Sequence, residues 1–222
     1  MRERWLEKAL KSIPENSRIL DAGAGTQQYR KLCEHLNYVS QDFGEYDGQG
    51  DSAGLQMGKF DYGKLDIVSD ITSIPEPDSS FDAIMCIEVL EHLPHPIQAI
   101  KEFSRLIKPK GHLILTAPFC SLTHFSPYHF STGFNKYWYE VHLAANGLKI
   151  TDIAPNGNFF EYVAQEIDRT PSISKRYSKS KPGFLERLSV FIILRMLSRF
   201  SKRDNGSSDL LCFGYHVHAV KD

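Results

Sequence analysis

RILDAGAGTQQY, residues 18–29, decides the fold of this chain. Arg18-Ile19-Leu20 is a short apolar lead that reads as a buried parallel strand. Asp21 ends it with a carboxylate, and Gly23 and Gly25 follow with only Ala24 between them. A strand that breaks into closely spaced glycines ahead of a helix lets backbone come near a ligand, because no Cβ intrudes. Gln27-Gln28-Tyr29-Arg30-Lys31-Leu32 then reads as the opening of that helix, its free N–H groups pointing back at the same crevice.

The glycines alone do not select a ligand. The dinucleotide pattern G-x-G-x-x-G needs a third glycine or alanine at position 28, where Gln28 stands, and no P-loop Lys-Ser/Thr follows. An anionic strand end repels a pyrophosphate and suits a cationic ligand that carries an amino group. An ordinary tight βα turn would look the same over this stretch, so the segments downstream decide.

The chain has 222 residues and a formal net charge of −1, which suits one α/β domain with an elaboration and implies no general preference for nucleic acid. The charge is unevenly spread. Residues 169–203 hold ten basic residues and one acid, Glu186, so the remainder, with 16 basic and 26 acidic residues, is strongly negative. Cys33, Cys86, Cys120 and Cys212 show no C-x-x-C spacing, which excludes a standard zinc module and argues against a disulfide framework. The N-terminal MRERWLEKAL has no signal-peptide apolar region, and no run reaches the ~18–20 apolar residues of a spanning helix. A reducing cytoplasm is the expected location.

Working outward, Trp5, Leu6, Ala9, Leu10 and Ile13 fall at helical spacing. A helix from about 27 to 36 is expected to lead to a second strand, 38–42. Asp42 ends that strand, where an acid can accept both hydroxyls of a ribose, although a surface-loop aspartate is the alternative. Residues 44–63 are rich in Gly, Asp and Tyr and read as an unusually long loop. Strands follow at 65–68, 81–87, 112–117, 148–153 and 210–220, with helices at 96–108, 134–145 and 159–167. Alternating strands and helices make a doubly wound α/β fold with its ligand crevice at the carboxyl ends of the strands.

Several stretches together resemble the class I S-adenosylmethionine-dependent methyltransferases, of the small-molecule type that includes ubiquinone-biosynthesis O-methyltransferases. They are LDAGAGT (20–26), Asp42, SDITSIP (69–75), FDAIMCIEVLEHLPHP (81–96) and LIKPKGHLILTAP (106–118). The resemblance covers about Arg18 to Gly147 and the last two strands. It implies a Rossmann-like seven-stranded sheet, mostly parallel, with an antiparallel last strand, in a single domain 1–222 that carries a helical basic insertion at 168–206. It implies S-adenosyl-L-methionine as cofactor. Asp21, Gly23 and Gly25 would receive the methionine end, with Asp21 taking the ammonium. Asp42 would hold the ribose hydroxyls, and Asp70, with the Ile71 backbone beside it, the adenine amino group. Ile87 and Glu88 would line the space under the sulfonium. Many members carry a third glycine where Gln27 stands.

Methyl transfer from a sulfonium is an in-line displacement, so the protein must align donor and acceptor and exclude water. An oxygen or nitrogen acceptor can also need its proton removed, the usual work of a histidine. Candidates are His92 after the fourth strand and His124 and His129 after the fifth; for each, a plain loop hydrogen bond is the competing role. No helical H-x-x-x-H spacing occurs, so no metal site is expected. Tyr128, Phe125, Phe130, Tyr137, Trp138 and Tyr139 are candidates for an acceptor pocket or for core packing. The acceptor is expected to be a small molecule or a glycan- or lipid-linked intermediate, methylated at oxygen. A cofactor-binding protein without catalysis is the competing class, and Gln28 and Asp21 disfavour a nicotinamide dehydrogenase. Residues 184–203 combine an apolar face with basic residues, suiting a packed helix, a homodimer contact or peripheral membrane contact.

Overall fold

The computed structural model describes residues 2–222. Apolar runs too short for helices build the centre of its sheet. β1 (Arg18–Ala22) and β4 (Phe81–Ile87) pair in parallel, with Leu20 opposite Ile84, and Ile19, Leu20, Ala83, Ile84 and Met85 are fully buried. Such burial on both faces is what a parallel sheet between helical layers requires. From β1 the chain moves one way to β2 (Asn37–Asp42) and β3 (Ile67–Val68). It then returns to β4 and moves the other way to β5 (Ile107–Pro118), β6 (Leu148–Asn156) and β7 (Gly214–Lys221). The order is β3-β2-β1-β4-β5-β7-β6, with β7 antiparallel to β5 from His112↔Val220 to Pro118↔Gly214. The direction of winding reverses between β1 and β4, and a crevice opens at their carboxyl ends.

α1 (Arg2–Lys11) buries Leu6, Ala9 and Leu10 in a cluster with Ile19, Met85 and Ile114. α2 (Pro96–Leu106) starts with proline at its first position, where no N–H is missed, and buries Ala99, Ile100, Phe103 and Leu106. α3 (Lys136–Ala144) is capped by Asn135, whose side chain accepts from Trp138 N at 3.1 Å. These elements belong to one compact unit, residues up to Ala154 with Gly214–Asp222. A second unit, Pro155–Phe213, contains α4 (Phe159–Tyr177) and α5 (Phe184–Ser201). Asn158 caps α4, accepting from Glu161 N at 3.1 Å, and the rings of Phe160 and Phe200 meet at 5.5 Å. Residues 168–206 fall within this second unit.

Four local expectations are corrected. Only a single 3-10 turn, Arg30–Cys33, stands where a helix over 27–36 is expected. Gln27 lies at φ +56°, a left-handed conformation that breaks a helix start, and its amide reaches across to Tyr62 O (2.8 Å) and Lys64 O (2.9 Å). β3 shrinks to two residues because the Asp66 carboxylate, not backbone, takes Ser40 N and Oγ at 2.9 and 2.8 Å. β5 begins at Ile107 rather than 112, so KPKG lies inside it, at a register break between Phe81↔Ile107 and Ala83↔His112. Gly111 is required there, since a Cβ would lie 2.8 Å from Asp82 O. The last strand begins at Gly214 rather than 210.

Candidate active site

A cavity of about 790 Å³ opens at the reversal point, within the range of small-molecule sites. One end is built by β1 and β2. Asp21 is 2% exposed and accepts from Tyr38 Oη–H at 2.6 Å. Burial, opposed by that hydrogen bond and reinforced by the charge of Asp42, pushes its carboxyl up to about 7. A carboxylate so placed gains most from a bound cation. The next turn is open by construction: Gly23 sits at φ +77°, and a Cβ there would lie 2.6 Å from Val89 Cγ2. Gly23 N and Ala24 N both donate to Gln41 O at 2.9 Å, which fixes the turn against β2. Asp42 accepts from Gly25 N at 2.8 Å and Gly44 N at 3.1 Å, and its burial raises its pKa. Asp70 is exposed, its carboxylate already turned to Thr72 N and Oγ1 at 2.8 Å, and Ile71 beside it is buried.

These features fit the cofactor that the sequence implies. The buried Asp21 carboxylate would meet an ammonium, the Cβ-free turn at Gly23 admits close approach of a ligand, and Asp42 offers oxygens at the end of β2. All eight expected cofactor residues, Asp21, Gly23, Gly25, Asp42, Asp70, Ile71, Ile87 and Glu88, line the one cavity. Gln27 is left-handed, and its two side-chain hydrogen bonds anchor the end of the long loop.

The other end of the cavity is built by the turn after β4 and the loop after β5. Glu88, at φ +56°, accepts from Thr116 Oγ1 at 2.8 Å and pairs with Arg2 at 3.2 Å. Glu91 is 1% exposed, and its Oε2 has no hydrogen-bond partner. Burial, with Glu88 nearby, holds its carboxyl well above the usual range. His92 Nδ1 faces the Tyr128 carbonyl at 2.5 Å and His124 Nδ1 the Leu122 carbonyl at 2.8 Å. Carbonyls only accept, so each Nδ1 carries a proton, and in the neutral ring Nε2 is the atom left with a lone pair. Those two Nε2 atoms lie 3.7 and 3.9 Å from Glu91 Oε1. Burial depresses the His92 pKa to about 4, so His92 is neutral. His129 stacks 4.8 Å from His124, hydrogen-bonds Ser121 Oγ at 3.2 Å and does not line the cavity.

Two loops roof this end. Leu55 N donates to Thr123 O at 2.9 Å and Phe125 N to Leu55 O at 3.0 Å, so the 44–63 loop is stapled to the His124 loop. Tyr46, Phe60 and Phe125 pack ring to ring at 4.6–5.8 Å, and Tyr128 packs on Phe43 at 5.0 Å. Phe125, Tyr128 and Phe130 line the cavity as candidates for an acceptor pocket, whereas Tyr137, Trp138 and Tyr139 lie on α3 and do not. Sequence reading missed Glu91 and the aromatics of the long loop. Glu91 stood within E-V-L-E-H, but its loss of solvent depends on the His124 loop closing over it.

Among the described residues, Glu91, His92 and His124 each offer a ligand atom within 4.8 Å of the others. The arrangement can share a proton among its members or hold a divalent cation between them. Helical spacing alone does not reveal this convergence, since His124 arrives from a different loop.

A sequence model of a methyltransferase domain matches residues 2–167. A protein named ubiquinone biosynthesis O-methyltransferase from Alkalilimnicola ehrlichii is 43% identical over 110 residues, 46% of this chain and 42% of that protein. One of the same name from Dechloromonas aromatica is 30% identical over 116 residues, 50% of this chain and 48% of that protein. The chain thus matches less than half the length of these curated relatives. The solved structure of an S-adenosylmethionine-dependent methyltransferase from Archaeoglobus fulgidus superposes with a TM-score of 0.58 at 18% identity, covering 100% of this chain and 95% of that one. At that identity the likeness shows the fold.

Proposed function

The chain belongs to the methyltransferase-domain family, and on that premise we propose that it transfers a methyl group from S-adenosylmethionine to a hydroxyl oxygen of a small molecule or of a glycan- or lipid-linked intermediate. The observation that carries this reading is the continuity of one cavity. It runs from Asp21, Gly23 and Asp42 to the histidines and aromatics above β4 and β5.

When bound, the cofactor supplies an electrophilic methyl on a sulfonium. Asp21 would hold the ammonium and Asp42 the ribose hydroxyls, which would fix the donor's position relative to the acceptor. The aromatic roof of Tyr46, Phe60 and Phe125 excludes water and seats an apolar acceptor face. His92 or His124, through its free Nε2, takes the hydroxyl proton as the oxygen attacks. The sulfonium would supply the leaving group, departing as a neutral thioether with the electron pair of its bond to methyl. The imidazolium so formed stands within 4 Å of Glu91 Oε1, and the proton is shared in the pair before release.

A second reading is favoured by the bare Glu91 Oε2 and the two inward Nε2 lone pairs, each histidine oriented by a backbone carbonyl as ligating histidines are. In it Glu91, His92 and His124 would hold a divalent cation, which would supply Lewis-acid activation of the acceptor hydroxyl. A protein that binds the cofactor without catalysis would leave this convergence unused.

Isothermal titration with S-adenosylmethionine, followed by a turnover screen over phenolic, glycan and lipid-linked hydroxyl acceptors, tests the proposal. Turnover after exhaustive chelation favours the proton relay. Turnover restored only by added divalent cation favours the second reading. Binding without turnover on any acceptor class opposes both.

A further inference from the structure

α5 has two faces of opposite use. Val190, Leu194 and Leu197 lie on one side at helical spacing and are half-buried or buried. The opposite side is apolar and open: Phe184, Leu185, Leu188, Phe191 and Ile192 are 81, 75, 46, 56 and 58% exposed. At 100° per residue, Phe184, Leu188, Phe191 and Arg195 form one stripe, and Leu185, Ile192 and Arg199 the stripe beside it. Both stripes are apolar toward the helix N-terminus and end in an exposed arginine. The guanidinium of Arg195 lies 5.8 Å from the Phe191 ring, on that open side.

We propose that this face docks on an anionic membrane surface. The inference concerns the Pro155–Phe213 unit alone and is independent of the methyl-transfer reading. The apolar half of the stripes is suited to enter the headgroup boundary, and the arginines, followed by Lys202 and Arg203, to lie among anionic headgroups. No helix among the described residues is long and apolar enough to cross a membrane, so the contact is peripheral.

Charge distinguishes a bilayer from a second copy of the chain. Residues 169–203 carry ten basic side chains and one acid, Glu186. That acid is already engaged, accepting from Gly183 N at 2.6 Å. Packed in parallel on itself, the face would set arginine against arginine. Packed antiparallel, it would press guanidinium groups onto the partner's apolar half without a carboxylate. An anionic surface satisfies both halves at once.

The test is co-sedimentation of the full chain with vesicles of pure phosphatidylcholine and of phosphatidylcholine with 30% phosphatidylserine, a composition chosen as about that of an anionic leaflet. It is run at low and high salt, with sedimentation velocity of the protein alone. The expected result is binding to the anionic vesicles only, weakened several-fold by salt. R195Q/R199Q is expected to lower the partition coefficient about 30-fold. F191S/I192S is expected to lower it about ten-fold or more, with unchanged circular dichroism and melting for both variants, since all four side chains are exposed. Equal partitioning onto both vesicle types, no partitioning, or a self-association of the protein alone that F191S/I192S abolishes would overturn the proposal.

Discussion

Asp21→Asn separates what the fold prefers from what the site needs. The Asp21 carboxyl sits near 7 in the folded protein against an ordinary 3.8. A difference of about 3, at roughly 1.4 kcal/mol each, makes the ionised group cost the native state about 4 kcal/mol. The sign follows from linkage. The folded value is raised, so the cost is absent below pH ~4, grows as pH rises toward 7, and is constant above. At pH 5 it is about 1.6 kcal/mol; at pH 8 it is complete. Asparagine is neutral at every pH, and its carbonyl can still accept from Tyr38 Oη. The stability advantage of Asp21→Asn over the parent chain should therefore grow by about 2–3 kcal/mol between pH 5 and pH 8, read from urea unfolding of the cofactor-free protein. Affinity for S-adenosylmethionine should move the other way, falling roughly 10–100-fold with loss of the charged acceptor for the ammonium. An advantage that does not change with pH, or a parent chain more stable at pH 8, refutes the account of Asp21 as a strained buried carboxylate.

Three further outcomes are expected. His92→Ala should lower turnover roughly 10²–10⁴-fold while leaving S-adenosylhomocysteine affinity within about two-fold, and His129→Ala, outside the cavity, should change neither; a larger loss at His129 reverses the assignment. Since burial holds His92 near 4, its Nε2 stays unprotonated at higher pH, and the pH–rate profile should show no loss from this group until the medium approaches that value. Gly23→Ala should cost about 1–3 kcal/mol of stability, because its Cβ would collide with Val89 in a left-handed conformation, and should abolish cofactor binding measured by calorimetry.

The sheet was legible because its signals are local. Ile19-Leu20 and Phe81–Ile87 are apolar without helical period, and the glycines after Asp21 mark the reversal point. That Asp21, Gly23, Gly25 and Asp42 would line one cavity was legible for the same reason: they sit at strand ends, which topology brings together. The helix expected after Gly25 was not legible as a 3-10 turn. What breaks it is Gln27 reaching Tyr62 and Lys64, partners far along the chain. The acceptor half was hidden likewise. Glu91 becomes a buried acid, and Tyr46 and Phe60 become a roof, only when the 44–63 loop is stapled across to the loop carrying His124. Long-range loop pairing has no period for a sequence to display.

The central claim is that the turn after β1 and the end of β2 hold the methyl donor. Isothermal titration of S-adenosylmethionine into the parent chain and into Asp42→Ala tests it most directly. The account predicts one equivalent bound per chain and an affinity lower by roughly 1–3 kcal/mol in the folded variant, whose ribose hydroxyls lose their charged acceptor. Equal affinity for both proteins, or no heat of binding to the parent chain, would contradict it.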